Sequence, residues 1–108
     1  MTDYPEPKNP AEVRKIYDSL RANLPLIPRP DTFVITRTVS MLSAEDQAEI
    51  IKKVKEFTVF DKEQNDPYGE HDFIKVTHQE IDYFLKFDWY GGSEGYRVVI
   101  TLMQASDY

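Results

Sequence analysis

Apolar residues recur at helical spacing in two stretches of the chain and at alternating spacing in three later ones, and this division predicts the architecture. Val13, Ile16, Tyr17 and Leu20 lie three and four residues apart, the period of a helix that buries one face. Asn9 stands before them as a cap, Pro10 fits the first helical position and Glu12 the first turn, so a helix is expected from about Pro10 to Asn23. Pro25, Pro28 and Pro30 then stop any helix. Leu26 and Ile27 among them predict a packed loop, not a solvated linker. Thr32 to Val39 is rich in β-branched residues and reads as a strand. Ser43 caps a second helix, with Glu45 and Asp46 in its first turn and Ile50, Ile51, Val54 and Phe57 as its buried stripe. Lys52, Lys53 and Lys55 fall mostly off that stripe, interleaved with Glu45, Glu49 and Glu56, and read as its solvated side.

From Phe73 the period shortens. Phe73 to Thr77, Ile81 to Trp89 and Tyr96 to Gln104 read as three strands of an antiparallel meander, with Gly91 to Gly95 as a hairpin turn. In the middle strand Ile81, Tyr83, Leu85, Phe87 and Trp89 alternate with Asp82, Phe84, Lys86 and Asp88, which gives one apolar and one charged face. The expected fold is α+β: two helices on one face of a four-stranded, mainly antiparallel sheet, in the order α-β-α-β-β-β. The whole chain, 1–108, reads as a single domain, with residues 1–31 forming the helix and proline loop and 32–108 the core. The opposite face would carry Phe84 and, depending on register, Val99 and Met103. An aromatic among acids there suits a partner surface, unless a loop or terminus covers it.

Composition narrows the chemistry. There is no cysteine, which excludes disulfides, thiolate metal sites and a thiol nucleophile. No run of about 18 apolar residues occurs, and the N-terminus lacks the basic and apolar segments of a signal peptide. A cytoplasmic location without a membrane role is the resulting expectation. The formal charge of −6 argues against direct nucleic-acid binding. Residues 1–60 hold nine acids and nine bases, whereas 61–108 hold ten acids and four bases. The excess therefore lies in the second half, which suits either simple solubility or a basic partner.

The most informative run is Asn65-Asp66-Pro67-Tyr68-Gly69-Glu70-His71-Asp72-Phe73. Asn65, Asp66, Pro67 and Gly69 carry strong turn chemistry. Glu70 and Asp72 flank His71, a grouping open to metal binding, base catalysis or a hydrogen-bond network. In an extended segment the two carboxylates would share one face and His71 the other. Zinc needs three or four ligands, and the other histidine, His78, stands seven residues on. No metal and no cofactor is expected. The serines sit in no nucleophile-elbow pattern, and the glycines lack a phosphate-loop lysine.

The 65–73 run, together with Phe84-Leu85-Lys86-Phe87-Asp88-Trp89-Tyr90, the strand Arg97 to Met103 and the ending Ala105-Ser106-Asp107-Tyr108, resembles the bacterial domain-of-unknown-function family 3768 over roughly residues 32–108. The resemblance implies no activity and no catalytic residue; it implies small proteins of bacterial chromosomes, plasmids and phages. The expectation that follows is a non-enzymatic protein-binding domain, an inhibitor of a host defence system of the anti-CRISPR kind, acting through an acidic surface on a nucleic-acid-binding complex. Asp66, Tyr68, Glu70, Asp72, Asp82, Phe84 and Asp88 are its expected partner contacts, and Asn65, Pro67, Gly69 and His71 its structural turn. The alternative is a small hydrolase or nuclease-like enzyme using Glu70, His71 and Asp72.

Overall fold

The structure, a computed structural model, describes residues 9–92 and 95–108. Helix α1, Pro10–Ala22, begins where the Asn9 side chain accepts a hydrogen bond from the Glu12 amide at 3.0 Å, and it buries Val13, Tyr17 and Leu20. Strand β1, Thr32–Ile35, is followed by a four-residue helix α2, Arg37–Ser40. Helix α3, Ala44–Glu56, is capped by Ser43, whose hydroxyl accepts from the Asp46 amide. Strands β2 (Phe73–His78), β3 (Ile81–Gly92) and β4 (Gly95–Gln104) follow, then a 3-10 turn, Ala105–Asp107.

The fold is α+β with a mixed four-stranded sheet ordered β1-β4-β3-β2. The last three strands form the expected meander, while β1 pairs in parallel with β4, Phe33 opposite Ile100. Ile74, Tyr83, Leu85, Phe87, Val98, Ile100 and Leu102 point to one face and form a single core with residues of α1 and α3. Tyr17 stacks on Phe87 with ring centroids 4.8 Å apart.

Three expectations are corrected. The strand predicted over Thr32 to Val39 stops at Ile35: the Thr36 amide makes the last bond to β4, at Leu102, and the chain then coils so that Val39 enters the core. The Thr36 and Thr38 hydroxyls both donate to Asp107, each at 2.8 Å, which favours the turn over a longer ladder. In the proline loop Leu24 is buried and Ile27 packs on the core, but Leu26 is 81% exposed. Phe57, expected at the end of the α3 stripe, is instead its extended C-cap and still packs on the core.

The register sets Phe84 opposite Met103 and Asp88 opposite Val99 on the face away from the helices. That face is partly covered, since Tyr108 meets Phe84 edge to face at 5.7 Å and Phe73 at 5.8 Å. Gly92 pairs with Gly95, as a hairpin there requires; Ser93 and Glu94 lie outside the described residues.

Candidate functional site: the 57–73 loop and its groove

Between α3 and β2 the chain makes a loop held by its own side chains. The Asn65 amide group accepts from the Asp61 backbone at 2.7 Å and donates to the Val59 carbonyl at 2.8 Å. Three successive amides, Gln64, Asn65 and Asp66, point to the Asp61 carbonyl. Gly69 and His71 both take positive φ, 68° and 57°, and so reverse the chain into β2. The segment before β2 is therefore a turn, not the extended run that alternation presumed.

His71 is the hub of this loop. Its Nδ1 donates to Asp18 of α1 at 2.9 Å, its backbone amide donates to Asp66 at 3.0 Å, and its Nε2 lies 3.6 Å from the other Asp66 oxygen. The ring stacks on Phe60, centroids 3.6 Å apart and 7° from parallel. Arg21 completes the assembly: Nη1 donates to the carbonyls of Val54, Lys55 and Phe57, Nη2 reaches Asp18 at 3.3 Å, and the guanidinium lies 5.4 Å from the Phe60 centroid. One cation thus closes the C-terminal end of α3 and orients the carboxylate that orients the imidazole. Asn65, Gly69 and His71 shape the loop from within. Asp66, expected as a partner contact, is only 3% exposed and belongs with them, because its carboxylate is spent on His71.

The remaining acids fall into two places. Glu70, Asp72 and Asp88 all bear electrostatically on Tyr17: burial first, and then these three charges, push the Tyr17 hydroxyl well above its ordinary range. Burial also raises Glu70, with Asp72 and Asp66 adding to it. Asp72 is raised by burial and by Asp66 and Asp88, against the pull of a backbone hydrogen bond. Lys86 partly offsets Asp88 at 3.4 Å. Asp82 stands apart, six positions and about 20 Å along β3 from Asp88, and accepts from Thr77 at 2.7 Å. The ring nitrogens of His71 thus turn to Asp18 and Asp66, and not to its chain neighbours Glu70 and Asp72. His78 belongs to a separate contact, with Asp46 at 3.0 Å. Among the described residues no group of three His, Asp or Glu could hold a metal ion, and no helix is long and apolar enough to cross a membrane.

Beside the loop runs a groove of about 730 Å³, walled by Phe57, Val59, Pro67 and Tyr68 on one side and by Phe73 and Phe84 of the sheet on the other. Tyr68 is 71% exposed at its rim. Phe84 and Tyr68 thus meet at one cavity, as neither the strand pattern nor the turn pattern alone could indicate. Asp18, Arg21 and Phe60 escaped the sequence reading altogether. Arg21 alone left a signal, since it stands four residues after Tyr17 on an otherwise apolar stripe.

A family model described as a protein of unknown function (DUF3768) matches residues 35–98, which takes in the loop, β2, β3 and the start of β4. No curated protein and no solved structure matches the chain.

Proposed function

The chain belongs to the DUF3768 family of proteins of unknown function, and from the site it carries there we propose that it is a non-enzymatic protein-binding domain that recognises a basic partner. The observation that carries this reading is the placing of Asp72 in the wall of an apolar groove with an exposed Tyr68 at its rim, Asp72 and its near neighbour Glu70 both being held by burial above their ordinary pKa. Carboxylates crowded and partly stripped of water are less comfortable ionised than free ones. An incoming Lys or Arg would supply the missing counter-charge, and Tyr68 an aromatic contact of the kind that anchors interfaces.

The partner class proposed is a nucleic-acid-binding protein of a host defence complex, which makes the chain an inhibitor of the anti-CRISPR kind. The acidic second half of the chain and the mobile-element setting implied by the family resemblance support this. The test is capture on immobilised protein from a host lysate at low salt and at about 0.5 M salt, where exposed charge pairs are screened. Basic nucleic-acid-binding proteins should be retained at low salt, released at high salt and lost with the double variant E70Q/D72N. Retention indifferent to both salt and substitution would overturn the reading.

A further inference from the structure

Strand β2 is an edge of the sheet, and the groove lies against that edge. The Asp72 carbonyl accepts from the Phe87 amide, so by strand alternation residues 72, 74, 76 and 78 bond to β3, and the backbone N–H and C=O groups of 73, 75 and 77 point outward. One outward group is occupied: the Thr77 carbonyl accepts from Lys53 Nζ at 2.7 Å. The outward groups of Phe73 and Lys75 face the groove, and no backbone partner reaches them from the loop across it. Open backbone donors and acceptors at alternate residues are matched in register by another extended chain.

We propose that the partner binds as an added strand, a short extended segment that pairs with Phe73 and Lys75 along the β2 edge; this rests on the protein-binding reading above. Residue alternation specifies the segment further. Phe73 and Phe84 lie on the open face of the sheet, whereas Asp72 belongs to the opposite parity, toward Phe57. A strand laid in the groove therefore sends alternate side chains to an aromatic surface and to a carboxylate. Lys75, on the aromatic side, disfavours a basic residue there. The segment that fits alternates apolar and basic residues. A second copy of this chain fits poorly, because the 59–68 wall stands where a second sheet would need to lie.

The probe is a phage-displayed library of random decapeptides selected on the purified protein. Enriched sequences should alternate apolar and basic residues. In synthetic versions, N-methylation at every second residue should weaken binding at least about tenfold, and at the intervening residues less than about twofold, since only alternate amides face β2. On the protein, K75P removes one outward N–H and should cost at least about tenfold; the N-methyl series decides the matter even if that variant misfolds. A library without binders, or N-methyl effects without alternation, overturns strand addition. So does a dimer of the protein alone that K75P dissociates. Binders that show alternation but no salt dependence would keep strand addition and remove the acidic-surface reading; salt dependence without alternation would do the reverse.

Discussion

At His71 a left-handed backbone, φ 57°, coincides with a ring stacked on Phe60 and hydrogen-bonded to Asp18. Truncation removes the ring contacts and strands the buried Asp66, so H71A should lose about 1–3 kcal/mol in urea denaturation. H71G should lose less, by up to about 1 kcal/mol, because glycine takes this conformation freely. An H71G variant weaker than H71A would show that backbone strain is unimportant there. The shifted carboxylates give a pair of expectations of opposite sign. The fold raises Asp72, so its ionised form weakens the protein at neutral pH and the penalty vanishes as pH falls below the ordinary carboxylate range, about 4. D72N should therefore raise the melting temperature at pH 7 and not at pH 3. The fold lowers Asp107 through the hydroxyls of Thr36 and Thr38, so its contribution is present at neutral pH and lost on acidification. D107N should lower the melting temperature at pH 7, with the difference shrinking toward pH 3. Because D72N is expected to strengthen the fold, a loss of binding in that variant cannot be blamed on unfolding.

Among the elements, those with local signals were readable and those fixed by distant partners were not. Asn9, Pro10 and Ser43 announce both long helices, and alternation announces β2, β3 and β4, because caps and periods are properties of neighbours. The early end of β1 depends on Leu102 and Asp107, some seventy residues away, and a run of Thr and Val could not reveal it. The same holds for the site: the turn residues Asn65, Asp66 and Gly69 show themselves in sequence, whereas Asp18 meets His71 across 53 positions. Arg21 carries the junction of α1 with α3, as its guanidinium closes three carbonyls at the C-terminal end of α3. R21M should cost about 2 kcal/mol or more by leaving buried acceptors unpaired. R21K should recover only part of that, since a single ammonium cannot span the same fork of acceptors. Guanidinium titrations of the three proteins would show the order.

For the molecule as a whole, one core joins every long element, so unfolding should be a single cooperative event. Fluorescence of Trp89, the only tryptophan, which packs against that core, and far-UV circular dichroism should report the same midpoint. Two midpoints would mean that α1 and its contacts with the 65–72 loop melt apart from the sheet. The order of the strands has a further consequence, in the time course of synthesis. Strand β4 emerges last yet sits between β1 and β3. At ribosomal rates of about 5–20 residues per second, the nascent chain spends seconds with β1 unpaired and β3 bare along one side. A protein made this way folds only after its final strand is free, and until then it depends on the cell to keep those edges from meeting strangers.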